Sequence, residues 1–273
     1  MTRPIVFLSD FGYRNEWVGV CHAVMNRVAP ESQIVDLSHG VPPLDVAGGA
    51  LVLADSLAYF HPEAVVLAVV DPSVGRDRDI AIRTGDGRLL VGPDNGLLAP
   101  AWRASGGVAQ AVSITSPSVV LEPISPSFHA RDVLAPGAAH LAVGARLEDL
   151  GPSVEPDSLA DLHVPEPSVE PGKITCEVLD LNRFGNVQLN VRDADLAAAG
   201  LDGPKELVVE ATAGAASGRQ VTTYADLTRD EWGLMIDPRG WLSVIRSNPG
   251  NAAESLGVGV GDMIWLTAKG NVG

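Results

Sequence analysis

Two short stretches hold side chains that can move a proton. The first, Val69 to Arg78, reads Val-Val-Asp-Pro-Ser-Val-Gly-Arg-Asp-Arg and places Asp71 directly after an apolar run, at the start of a turn crowded with charge. The second, Ser127-Phe-His129-Ala-Arg-Asp132, sets a His in a loop between a proline-rich stretch and an Ala-rich segment. A carboxylate can orient or deprotonate a water, an Arg can hold that carboxylate ionised, and a His can carry the proton away. Asp71, His129 and an arginine of the first stretch, Arg76 or Arg78, supply residues of those types. The turn chemistry alone equally fits an Asp that opens a tight turn before Pro72, with solvated arginines beside it and a surface His. Spacing by itself does not bring the three together. No nucleophile elbow and no dense His/Asp/Glu cluster competes, so serine and zinc hydrolysis are weak readings.

These residues need a scaffold. Ala64 to Val70 is apolar and rich in β-branched residues, as in a strand covered on both faces of a parallel sheet. Pro72 cannot join a strand ladder and Gly75 permits a positive φ, so the strand ends at Asp71, on the edge where open α/β sheets bind ligands. Ile5 to Leu8 is a second such strand, ending in Ser9-Asp10-Phe11-Gly12. Helices are expected over Trp17 to Ala29 and over Val46 to Tyr59, the latter capped by Asp45. Further strands are expected at Ile34–Leu37, Ile80–Ile82 and Leu89–Gly92, and a last helix at Ala135–Val143. This alternation predicts an α/β sheet domain over residues 1–165. Five prolines between Gly151 and Gly172 read as an extended connector. Short strand-like pieces follow, and residues 166–273 are expected to form a smaller all-β domain.

Composition narrows the function. With 19 Lys+Arg against 34 Asp+Glu the formal net charge is -15, and nothing basic is concentrated enough to neutralise a nucleic-acid backbone. Cys21 and Cys176 stand alone and are expected to be buried and reduced. There is no apolar run of bilayer length and no leader before the first strand, so no membrane partner is expected and the reading is cytoplasmic. No phosphate-loop or dinucleotide fingerprint is present, and no cofactor or metal is implied.

Six motifs spread over nearly the whole chain carry a resemblance: Leu-Ser-Asp10-Phe-Gly, Val-Asp71-Pro-Ser-Val-Gly, Gly-Pro-Asp-Asn95-Gly-Leu, Phe-His129-Ala-Arg-Asp, Asn182-Arg-Phe184-Gly-Asn186 and Pro-Gly-Asn251-Ala252-Ala. Together they resemble the S-adenosyl-L-methionine hydroxide adenosyltransferases, adenosine-forming hydrolases related to fluorinase and chlorinase. The resemblance implies a carboxyl-terminal β-barrel, a homotrimer with intersubunit active sites, and Asp71, Arg78 and His129 around the attacking water. It also implies that Asp10 holds the ribose hydroxyls, that Phe184 and Asn186 hold adenine, and that Asn251 and Ala252 add backbone contacts. Asn95 and Asn182 join the substrate-binding set, and Arg239 fits the position that binds the methionine carboxylate. Many members carry Asp where Asn182 stands, so the hold on the substrate ammonium passes to Asp180 in this reading. Trp17 and Leu44 are either lining for the methionine side or ordinary core.

The implied reaction is displacement at the ribose 5′ carbon by water, releasing methionine. Two alternatives stay open. One is a halide-using 5′-halo-5′-deoxyadenosine synthase of the same fold, disfavoured because the halogenases have an aromatic residue where Asp71 stands and lack His129. The other is a non-catalytic sensor of S-adenosylmethionine or adenosine, which would need no proton-handling set.

Overall fold

The computed structural model describes residues 2–203, 205–247 and 250–270, and the chain forms two compact units, Met1–His163 and Val164–Gly273. Pro249, part of the last of the six motifs, lies outside the described residues. The first unit runs β1 (Ile5–Ser9), α1 (Trp17–Val28), β2 (Ile34–Ser38), α2 (Val46–Ser56), β3 (Val65–Val69), β4 (Asp79–Thr84), β5 (Leu89–Pro93), α3 (Ala99–Ala104), β6 (Val108–Ser113) and α4 (Ala135–Ala142). Its strands form one sheet of order β2-β1-β3-β5-β4-β6, parallel except at β4, which runs antiparallel to β5 and β6.

The apolar run of β3 works as a doubly covered strand. Val65, Leu67 and Val69 enter a core shared with α1 and α4, while Val66, Ala68 and Val70 enter a second core shared with α2 and α3. That alternation follows from the two-residue period of a strand, with helices covering both faces. The chain passes from β1 outward to β2 and then returns to the other side of β1 to lay down β3. The carboxyl ends of β1 and β3 are therefore a topological switch point, where an open α/β sheet leaves a crevice. Asp10 follows β1 by one residue and Asp71 follows β3 by two, and Ser9 pairs with Val69 in register.

Asp45 caps α2 by accepting the Gly48 N–H, and a short 3-10 turn, Leu57–Tyr59, ends that helix earlier than its apolar pattern suggests. The helix α3 has no counterpart in the sequence reading, because Pro100 reads as a breaker although a proline is tolerated in a helix's first turn. The first part of the expected connector is also more than a spacer. Leu159 and Leu162 pack on the core, and Asp161 pairs with Arg103.

The second unit comprises β7 (Ser168–Glu170), β8 (Lys173–Leu181), β9 (Val187–Leu189), α5 (Asp193–Ala199), β10 (Glu206–Ala211), β11 (Ala215–Gln220), β12 (Trp232–Ile236), β13 (Leu242–Arg246), α6 (Ala252–Leu256) and β14 (Met263–Ala268). Strands β8 to β14 close into a seven-stranded barrel through the β8–β14 pairing, and β7 adds to β8. Closure leaves the barrel no free edge, and alternate side chains such as Ile174, Cys176 and Val178 fill its interior. Burial pushes the Cys21 and Cys176 thiols up to about 12, which keeps them protonated and inert. Among the described residues no helix is long and apolar enough to cross a membrane.

Candidate active site

At the switch point lies a cavity of about 370 Å³ lined by Asp10, Asp71 and His129, with Phe11, Trp17 and Phe128 among its apolar walls. The Phe11 ring meets Trp17 and Phe128 edge-on at 5.9 and 6.2 Å, so Trp17 belongs to the cavity wall, and Leu44 lines it as well. Burial raises the proton affinity of Asp71 above that of an ordinary carboxylate. The Ser73 N–H, donated to Asp71 Oδ1 at 2.9 Å, partly opposes that shift, and the neighbouring Asp77 and Asp10 reinforce it. Asp10 Oδ2 accepts the Leu44 N–H at 2.8 Å. Leu44 itself sits at φ 66°, a conformation that costs a leucine about 1–3 kcal/mol and that the Asp10 bond helps hold.

His129 is clamped from behind. Its Nδ1 lies 2.7 Å from Oδ2 of Asp79, a buried carboxylate at the first position of β4. Burial raises the proton affinity of Asp79, and the attraction of His129 partly offsets it. With Nδ1 committed to Asp79, Nε2 is the ring nitrogen available to take a proton. The loop bearing His129 is braced by Asp132, which accepts the Ser125 N–H and a two-pronged bond from Arg131. Asp79 escaped the sequence reading. Its only signal is a charged residue opening the otherwise apolar strand Asp79-Ile-Ala-Ile.

Two residues expected at the site are engaged elsewhere. The Arg78 guanidinium bonds Asp94 and donates to the Ser158 carbonyl at 2.6 Å, and it does not line the cavity. Asn95 donates to the Val70 carbonyl and accepts the Leu97 N–H, so it ties down the end of β3 just before Asp71. Both hold the turn rather than face the cavity. Gly75, in the same turn, has φ 81°, and a Cβ there would stand 2.8 Å from the Pro126 carbonyl. Gly75→Ala is therefore expected to cost at least about 1–2 kcal/mol in thermal or urea unfolding and to displace the His129 loop, lowering activity as well.

The barrel holds a second cavity, about 670 Å³, lined by residues that include Asp180, Asn182, Asn186, Tyr224 and Arg239. Asn182 Oδ1 accepts the Phe184 and Asn186 N–H groups, which shapes the loop, while Asn186 Nδ2 donates to the Tyr224 hydroxyl at 2.7 Å. Phe184 is 71% exposed and lies outside that lining. Asn251 caps α6, Ala252 is buried, and the Gly185 carbonyl accepts the Ala253 N–H, which packs the Asn182–Asn186 loop against the start of α6. Arg239 lies 3.4 Å from Asp180 and 3.6 Å from Asp237, loose pairings that leave its guanidinium able to accept another carboxylate.

Residues 5–151 match the SAM hydroxide adenosyltransferase N-terminal domain, and residues 176–265 match the C-terminal domain of the same name. The chain belongs to the SAM hydroxide adenosyltransferase family. Within it, the chain is 44% identical, over 98% of both sequences, to a protein of Salinispora tropica named (R)-S-adenosyl-L-methionine hydrolase. A fluorinase of an Actinoplanes species is more distant, 29% identical over 73% of this chain and 75% of its own. The crystal structure of an uncharacterized conserved protein from Thermotoga maritima superposes with a TM-score of 0.89 at 32% identity, covering 96% of this chain and 99% of that one.

Proposed function

We propose that this protein cleaves S-adenosyl-L-methionine with water at the ribose 5′ carbon, giving adenosine and L-methionine. One observation carries the reading. Asp71, with its raised proton affinity, and His129, clamped by Asp79, line one cavity with largely apolar walls. The sulfonium leaves without a general acid, so the protein has to supply only a positioned, partly deprotonated water and a site that excludes bulk solvent. As the water oxygen bonds to C5′, the C5′–S bond breaks and its electron pair returns to sulfur. The water proton passes to Asp71 or to Nε2 of His129 and from there to solvent. Arg78, fixed to Asp94 and Ser158, holds the turn that aims Asp71.

Asp10 offers Oδ1 to the ribose hydroxyls, with Trp17 and Leu44 beside the methionine chain. Phe184 stacks on adenine, Asn186 bonds the base edge, Arg239 takes the methionine carboxylate and Asp180 the ammonium. These contacts are divided between two cavities, one in each unit. Following the family resemblance, we place them in a homotrimer in which one subunit's Asp71 cavity is completed by another subunit's barrel. Light scattering should give three chains per particle. Mixing inactive Asp71→Ala and Asn186→Ala proteins under exchange conditions should restore part of the activity, and a monomer or failed complementation would refute the shared site. Two buried, unpaired cysteines fit a reducing compartment, and we place the protein in the cytoplasm.

Incubation with S-adenosyl-L-methionine in chloride buffer made with ¹⁸O-water, followed by chromatography and mass detection, tests the activity. Adenosine labelled at its 5′ oxygen, with methionine, is the expected result. A 5′-chloro nucleoside would move the protein to the halide-using branch, and bound, unchanged substrate would make it a sensor.

A further inference from the structure

Away from the proton-handling residues, three side chains from separate parts of the first unit converge. His22 lies on α1, Asp36 on β2, and His39 one residue beyond β2. Asp36 Oδ1 is 2.8 Å from His22 Nε2 and 3.0 Å from His39 Nε2, and the three donor atoms all lie within 4.8 Å of one another. This is the one such group of metal-ligating side chains among the described residues. The His39 ring is wholly buried, with its side chain 0% exposed.

The decisive feature is His39 Nε2. Although Asp36 Oδ1 comes within 3.0 Å, the two make no hydrogen bond, and Nε2 is a buried nitrogen without a hydrogen-bond partner. Such a nitrogen is costly to bury and calls for an explanation. The other side of the ring is fully specified. Nδ1 bonds Ser9 Oγ at 2.6 Å, and Phe7 and Tyr13 hold the imidazole edge-on at 4.6 and 5.3 Å. An imidazole fixed at Nδ1 by a neighbour, with Nε2 directed at a carboxylate and a second imidazole, is how proteins orient a histidine for a metal ion.

We infer that His22 Nε2, His39 Nε2 and Asp36 Oδ1 bind one divalent ion of the zinc class. Two imidazoles and one carboxylate suit zinc, cobalt or nickel, whereas magnesium and calcium favour sites built from oxygen. Ligands about 2.0–2.1 Å from a tetrahedral ion stand ~3.3 Å apart, so the observed 2.8 and 3.0 Å spacings need open only by a few tenths of an ångström. His22 and Asp36, more than a quarter exposed, can make that shift and leave a fourth position to water. The ion clips α1 to the end of β2. It also stiffens the turn that carries Asp10, because the His39 carbonyl accepts the Gly12 N–H and Ser9 Oγ accepts the Phe11 N–H. The site is structural, and it stands whether or not the hydrolase reading does.

The test uses tag-free, full-length protein stripped with a chelator, titrated with Co²⁺ by visible absorption and with Zn²⁺ by dialysis and elemental analysis. One equivalent of each metal, the absorption bands of low-symmetry Co²⁺ and a rise in Tm are expected. His22→Ala and Asp36→Asn, at partly exposed positions, should fold and lose the uptake, while Ser9→Ala should weaken it about 10–100-fold. Variant His163→Ala, at an exposed position, should bind as the parent does. Substoichiometric uptake by the parent, or full uptake by His22→Ala, overturns the site.

Discussion

Asp71→Asn is expected to lower kcat by about 10²–10⁴-fold, the usual contribution of a positioned acid–base group, while KM changes little. The same substitution should raise Tm at neutral pH. Asp71 is half-buried near Asp77 and Asp10, and its proton affinity is raised chiefly by burial. A carboxyl group whose folded-state pKa lies above its unfolded one binds more protons in the folded protein. Stability contributed by the protonated form is then lost as pH rises from the ordinary carboxylate range through the raised folded value, and above that the ionised Asp71 is a standing cost. Asparagine removes the charge and its amide oxygen can still accept the Ser73 N–H. The two readouts together separate function from folding: activity falls while stability gains. Loss of both would mean that Asp71 merely holds its turn. On the same grounds the parent's activity should fall on the acidic side at a pH above the ordinary carboxylate range, and a rate profile measures this directly.

Much of this arrangement is legible in the sequence because strand patterns and turn residues are local. The apolar run Ala64 to Val70 with Pro72 and Gly75 places Asp71 at the sheet's carboxyl edge, and the strand ending at Ser9 places Asp10 beside it. What the sequence conceals is which partner each polar group chooses. Asn95 belongs to a motif as specific as that of Asp71, and Arg78 ends the same charged turn, yet the fold assigns them to the Val70 carbonyl and to Asp94 and Ser158. A motif preserves the turn as well as the chemistry, and only geometry divides the two. Asp79 and the His22, Asp36 and His39 group were hidden for the converse reason. Their members are brought together by sheet pairing and by the packing of helices and loops on the sheet, which leave no spacing signature in the chain. The barrel was legible only coarsely, since β11 reads Ala-Ala-Ser-Gly-Arg-Gln, with no run of β-branched or aromatic residues, and pairs with β12 through two register positions.

The second large effect is expected at Asp79, a residue that touches neither the water nor the substrate in this scheme. Asp79→Asn should reduce kcat by about 10²–10⁴-fold, close to the loss caused by His129→Ala, because the two side chains act as one unit. Asp79 Oδ2 stands 2.7 Å from His129 Nδ1, so an ionised Asp79 fixes the proton on Nδ1 and leaves Nε2 basic. It also stabilises the imidazolium formed when Nε2 takes the water proton. An asparagine can present its amide N–H₂ to Nδ1, which favours the tautomer with the proton on Nε2 and removes the acceptor. The double variant Asp79→Asn with His129→Ala should then be no slower than His129→Ala alone. A merely structural Asp79 would instead show independent, multiplying losses, or a lowered Tm with kcat per folded molecule unchanged.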